Sequence, residues 1–273
     1  VKPETRIRLV FIDADGTLVG RRGVPECAWE AIEHARARGI RFSLSTGRLA
    51  RGETLAYARR LDPSGLHIFH SGAAVVTGEG AVVQDWPLSS TVYHRAVDFA
   101  RARGLLLEAY TSGGDFYTER QSRLHDDHAR LLGLASRPAD LHTVPLEGRV
   151  VRLQFIAEAA RWRREKRGLS LEQAVLHEAT APATPGVIYA SLTAPGVNKR
   201  QAAAWVARRL GVDLETEAAA IGDGLNDLAL IQGVALGIAM ADAPDEVRHA
   251  ASLVVPPADA CGLAEAISRV LGS

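Results

Sequence analysis

The chain has 273 residues, 47% of them apolar and 23% charged, the make-up of an ordinary soluble globular protein with length for one large domain or two moderate ones. Lys plus Arg and Asp plus Glu each number 32, so the formal net charge is zero, and nothing in that balance argues for a nucleic-acid or membrane-surface partner. No apolar run approaches the length that crosses a bilayer, and a cytoplasmic protein is expected.

Leu9, Val10, Phe11 and Ile12 read as a strand buried on both faces, the kind found in parallel sheets. It runs into Asp13-Ala14-Asp15-Gly16-Thr17-Leu18. Two carboxylates so placed at the end of a buried strand are costly unless a cation or donors compensate them. Open α/β sheets bind ligands at that end of their strands. Residues 25–39 predict a helix opened by Pro25 and closed by Gly39. Cys27 and Cys261 each stand at a helix start, and two idle thiols are expected in place of a disulfide.

Residues 40–44 predict the next strand, ending in Ser45-Thr46-Gly47-Arg48. Two hydroxyls, a flexible glycine and a guanidinium suit phosphate oxygens, although a helix N-cap would use Ser or Thr equally well. A helix over 53–61, a strand over 66–69, a turn at His70-Ser71-Gly72-Ala73 and a hairpin turn at Gly78-Glu79-Gly80 complete β-α-β-α-β, the opening of a parallel sheet.

From about residue 85 the pattern changes. Helices over 91–103 and 123–134, strands over 105–110, 116–119 and 150–156, and a helix from Ser170 predict an α+β module inserted into the sheet domain. His125-Asp126-Asp127-His128 has metal-ligand residue types, but a solvated helix start is expected there. The basic segment 161–167 is expected to be an exposed helix, not a nucleic-acid patch. Trp86, Trp162, Tyr110 and Tyr117 are expected to pack, not to line a pocket.

The parallel-sheet style returns with a helix over 198–211 and a strand over 218–221 that ends in Gly222-Asp223-Gly224-Leu225-Asn226-Asp227. Three strand ends thus carry site-like residues: Asp13 with Asp15, Ser45 with Thr46, and Asp223 with Asp227, while Lys199 begins the helix before the third. In a parallel sheet such ends share one edge. Several carboxylates in one crevice repel each other and make sense around a hard divalent cation, of which Mg²⁺ takes carboxylates, waters and phosphate oxygens. Lys199 and a hydroxyl add a charge and a donor, and the set suits phosphoryl transfer.

These motifs resemble the haloacid-dehalogenase superfamily of phosphohydrolases, and within it the Cof-type branch. The first motif matches Asp13-x-Asp15-Gly16-Thr17, the second Thr46, the basic motif Lys199, and the fourth Gly222-Asp223-Gly224-x-Asn226-Asp227; Ile238-Ala239-Met240 with Ala243 follows the branch as well. Ser71 stands where the branch commonly has Asn, and Leu49 where it commonly has Pro. The resemblance implies an α/β fold: a Rossmann-like parallel-sheet core over 1–84 and 188–273 with an inserted α+β cap over 85–187. It further implies a Mg²⁺-dependent phosphatase of small phosphorylated metabolites working through an aspartyl-phosphate. Asp13 would be the nucleophile and Asp15 the acid/base, with Thr46 and Lys199 on phosphoryl oxygens. Ser45, Gly47, Arg48 and Asn226 would serve the substrate, and Asp13, Asp15, Asp223 and Asp227 the metal, Asp15 through its carbonyl. A phosphomutase and a non-catalytic phospholigand-binding protein are the alternative readings.

Overall fold

The bulky run Leu9–Ile12 forms strand β1 with every residue buried, as a central strand of a parallel sheet requires. The computed structural model describes residues 7–143, 149–169, 172–181 and 183–272. Helix α1 (Glu26–Ala37) follows, with Pro25 at its N-cap and Ala28, Trp29, Ile32 and Ala35 as its buried stripe. Then come β2 (Arg41–Leu44), α2 (Gly52–Leu61), β3 (Leu66–Phe69), β4 (Ala74–Thr77) and β5 (Val82–Asp85). The expectation that the third strand extends the parallel sheet is corrected. It pairs antiparallel with β4, and β3, β4 and β5 form a three-stranded sheet of their own. The short turn at His70–Gly72 returns the chain at once, so the ladder of β3 goes to β4. An isolated parallel bridge, Ser45 to Ile68, ties it to the end of β2.

The next elements are α3 (Ser90–Arg103), β6 (Leu106–Thr111), β7 (Phe116–Thr118), α4 (Arg123–Leu132), β8 (Arg137–Pro138), β9 (Val150–Glu158), α5 (Ala159–Glu165), β10 (Val175–Ala179) and β11 (Val187–Thr193). Their strands make one sheet in the order β10-β11-β9-β6-β7-β8. Leu107, Ala109, Leu153, Phe155, Ala190 and Leu192 pack in one core with Val92, Tyr93 and Ala96 of α3 and Trp162 of α5. Strand alternation places Leu106, Glu108, Tyr110, Arg152 and Gln154 on the opposite face. The helix expected from Ser170 is also corrected: Ser170 and Leu171 lie outside the described residues, and Val175–Ala179 is an edge strand held by its ladder to β11. In the basic segment, Arg163 and Arg164 are exposed while Trp162 is buried against Phe155, with ring centroids 5.3 Å apart.

The chain then returns through α6 (Lys199–Arg209), α7 (Leu214–Glu217), β12 (Ala218–Gly222), α8 (Leu228–Ile231), β13 (Leu236–Met240), α9 (Asp245–Ala250), β14 (Leu253–Val255) and α10 (Gly262–Leu271). All ladders of the resulting sheet, β14-β13-β12-β1-β2, are parallel, with Leu9 opposite both Ala218 and Arg41. Cys27 and Cys261 form a disulfide with their Cα atoms 6.1 Å apart, which corrects the expectation of idle thiols. The packing of α1 on α10 brings together two residues 234 positions apart, a meeting no local signal announces.

Two units emerge: Val1–Arg48 with Glu53–Val83 and Asn198–Ser273, and Leu49–Gly52 with Gln84–Val197. The second runs past residue 187 because β11 pairs with β9 and β10. Among the described residues no helix is long and apolar enough to cross a membrane.

Candidate active site

In the first unit the end of β1 delivers Asp13, whose N–H donates to the Ile221 carbonyl of β12 at 3.0 Å. Asn198 caps α6, its Oδ1 accepting from Gln201 N at 2.8 Å, and so sets Lys199 at the first helical position. The Lys199 ammonium, 1% exposed, donates to Asp13 Oδ1 at 2.5 Å and to Asp227 Oδ1 at 2.6 Å. Thr17 Oγ1 donates to Asp223 Oδ1 at 2.9 Å, and Gly224 N to Asp227 Oδ2 at 3.0 Å. Residues from both ends of the chain thus meet at the carboxyl ends of neighbouring strands.

Two glycines are required by this closeness. Gly16 has φ +79°, and a Cβ there would lie 2.2 Å from Asp223 Oδ2. A Cβ on Gly222 would lie 2.5 Å from Asp227 Cγ.

The electrostatics are unbalanced. Burial pushes the Asp13 carboxyl well above the ordinary carboxylate range; the Asp227 charge pushes the same way, and Lys199 opposes both. Burial also raises Asp223, against the hydrogen bond from Thr17. For Lys199, burial works against the charge, but Asp13 and Asp227 outweigh it and raise its pKa. Asp13, Asp223 and Asp227 each offer an oxygen within 4.8 Å of the others, a hard-donor set facing one ammonium. A divalent cation of the Mg²⁺ type fits both the donors and the missing positive charge.

The other expected residues divide. Thr46, 1% exposed, accepts at Oγ1 from Arg48 N at 3.1 Å, and its carbonyl accepts from Ser71 N at 2.9 Å. Ser45 is equally buried, its N–H donating to the Ile12 carbonyl at 2.8 Å, while its Oγ finds no partner among the described residues. Gly47 lies beside Ser71, whose Oγ would be 3.1 Å from an added Cβ. Asn226 is exposed. Asp15 turns its carboxylate to Arg48, which grips it through Nε at 2.9 Å and through Nη2. Sequence reasoning missed that pair, since neither residue's spacing names the other. It also left Thr17 without its task of orienting Asp223.

The family model of the haloacid dehalogenase-like hydrolases matches residues 10–267. Phosphatase YwpJ of Bacillus subtilis is 25% identical over 308 residues, covering 97% of this chain and 100% of that protein. The 5-amino-6-(5-phospho-D-ribitylamino)uracil phosphatase YcsE of the same organism is 26% identical over 278 residues, covering 97% and 96%. A solved haloacid dehalogenase-like hydrolase from Bacteroides thetaiotaomicron superposes with a TM-score of 0.83 at 25% identity, covering 97% of this chain and 100% of that one.

Proposed function

The chain belongs to the haloacid dehalogenase-like hydrolases, in their Cof-type branch, and from that membership we propose a Mg²⁺-dependent phosphatase of small phosphorylated metabolites. The observation that carries this reading is the gathering of Asp13, Asp223 and Asp227 about Lys199. Asp13 attacks phosphorus; its new O–P bond forms as the bond to the leaving oxygen breaks, leaving an aspartyl-phosphate. Asp15 gives its proton to the leaving oxygen, then takes one from the water that hydrolyses the aspartyl-phosphate. It serves in that role once it has released Arg48 and taken up a proton from solvent. Thr46 and Lys199 hold phosphoryl oxygens, with Ser45, Gly47, Arg48 and Asn226 beside the substrate. Asp13, the Asp15 carbonyl, Asp223 and Asp227 would hold Mg²⁺. When bound, the ion supplies positive charge for the transferring phosphoryl group.

Sugar phosphates or phosphorylated cofactors form the substrate class, a reading supported by the phosphorylated ribityl compound in the name of YcsE. The test is release of phosphate from p-nitrophenyl phosphate with and without Mg²⁺. Asp13→Asn is expected to lower the rate on the order of 10⁴-fold or more while the fold, read by circular dichroism, is unchanged. Near-normal turnover in that variant would remove Asp13 as nucleophile. Release without an added bisphosphate separates a phosphatase from a mutase.

A further inference from the structure

Beneath α4, in the second unit, lies a buried charge that the proposed chemistry does not use. Glu108 of β6 has no exposed surface. His125 Nδ1 and His128 Nδ1 each lie 2.8 Å from one of its oxygens, and the Tyr110 hydroxyl donates to it as well. The two histidines are themselves buried, so the expectation of a solvated helix start is corrected. Their spacing of three puts both on the face of α4 that covers the sheet.

The second ring nitrogens differ. Gln154 of β9 accepts at Oε1 from Ser191 Oγ at 3.0 Å, which leaves its amide N–H for His128 Nε2 at 3.3 Å. His128 thus has the Glu108 carboxylate at Nδ1 and an amide N–H at Nε2. His125 Nε2 instead faces Ser136 Oγ at 2.8 Å, a hydroxyl that can accept. His125 can therefore carry protons on both nitrogens, with each one bonded.

We propose that doubly protonated His125 fastens α4 to the sheet, so that the helix seats firmly at mildly acidic pH and loosens as the ring loses its second proton at higher pH. Glu108 of β6 and Asp126 on α4 act on His125 directly, and the other titratable groups of the cluster are Tyr110 of β6, Arg152 of β9, Tyr189 of β11 and His128 of α4. Arg152 lies over the Tyr110 ring, 4.2 Å from its centroid, and the Tyr189 ring lies 5.0 Å from that of His128. Burial favours a neutral Glu108, but the bonds from His125, His128 and Tyr110 win and hold it at about 2, so it stays charged in the working range. The Glu108 bond raises His125 against the smaller effect of burial. Burial, first, and Glu108 push Tyr110 well above its ordinary range, which keeps it a donor. A raised folded-state value means that the stabilisation is complete below about 6.5 and is lost as pH climbs through that folded value. Leu132 at the end of the helix, and Leu134 just beyond it, pack with Tyr110, Phe116 and Leu49.

The experiment is a ¹³C NMR titration of the His125 ring in the full chain, paired with hydrogen exchange of the α4 amides from pH 6 to 9. Exchange is corrected for its intrinsic pH dependence. The ring midpoint is expected above 6.5, and α4 protection should fall by up to about tenfold for each unit of that rise. His125→Gln should flatten the dependence, and His128→Gln should keep it. A midpoint at or below 6.5 overturns the proposal, as does an equal pH slope in His125→Gln. If that variant fails to fold, the titration of the unaltered chain decides alone.

Discussion

Lys199 and Glu108 are both buried ions, one in each unit, and their surroundings are built in opposite ways. Lys199 donates to Asp13 and Asp227 with Asp223 beside them, so one cation meets three carboxylates. Glu108 accepts from two histidines and a tyrosine near a half-buried arginine, so one anion meets a full set of donors. The consequences for acidity are opposed. Asp13 is pushed up by burial and by its fellow acids, while Glu108 is held down at about 2 despite burial. Burying an ion is tolerable only when its charge is answered. The second cluster answers it with protein groups alone and has no need of a ligand. The first leaves negative charge over, and that surplus is what a divalent cation would answer, the cation in turn attracting an anionic phosphoryl group.

The largest test of this contrast is Lys199→Met. Removing one partner from a buried charge cluster costs about 3–5 kcal/mol. Urea unfolding without Mg²⁺ should show a loss of that order, and added Mg²⁺ should recover more stability in the variant than in the parent. A variant as stable as the parent without the ion would break the comparison, because the three acids would then need no cation. His67 sharpens it from the other side. This ring, with no exposure, accepts from Leu44 N at 3.1 Å and donates from Nε2 to the Asp62 carbonyl at 2.9 Å. Burial lowers it from 6.5 to about 4. Between those values the unfolded chain binds a proton that the folded chain refuses, so stability falls as pH drops, by on the order of 3 kcal/mol through this group. His125 has the opposite sign. Urea midpoints at pH 7, 5.5 and 4 should show the fall, and His67→Gln should flatten it; an equally steep fall in the variant would place the acid lability elsewhere.

Local sequence made the first cluster legible and the second nearly invisible. Three motif residues of the candidate site follow short strands, so Asp13, Thr46 and Asp223 could be set on strand ends before any packing was known. Their convergence then followed from parallel-sheet topology. His125 and His128 carry a local signal too, but their partner is on β6 and their burial depends on it. A glutamate inside Leu106–Thr111, together with Arg152 and Gln154 inside Val150–Glu158, was the available clue: polar residues in otherwise apolar strands need partners. The disulfide joins residues 234 positions apart, which propensity does not encode, and the separate sheet of β3 and the edge strand Val175–Ala179 depend on which neighbouring strand each one pairs with.

The smallest expected effect is also the most direct reading of the surplus charge. A ligand that binds only the folded chain stabilises it by about 2.7 kcal/mol at a concentration one hundred times its dissociation constant. For a protein of this size that raises Tm by about 5–10 °C. Mg²⁺ should therefore raise the thermal midpoint of the parent, and Asp223→Asn should lose most of the rise, since it removes one of the three gathered carboxylates. His125→Gln should keep the whole rise, because no residue is common to the two clusters. If Asp223→Asn gained as much as the parent, the ion would be binding elsewhere, and the acids about Lys199 would have to be answered by bound protons.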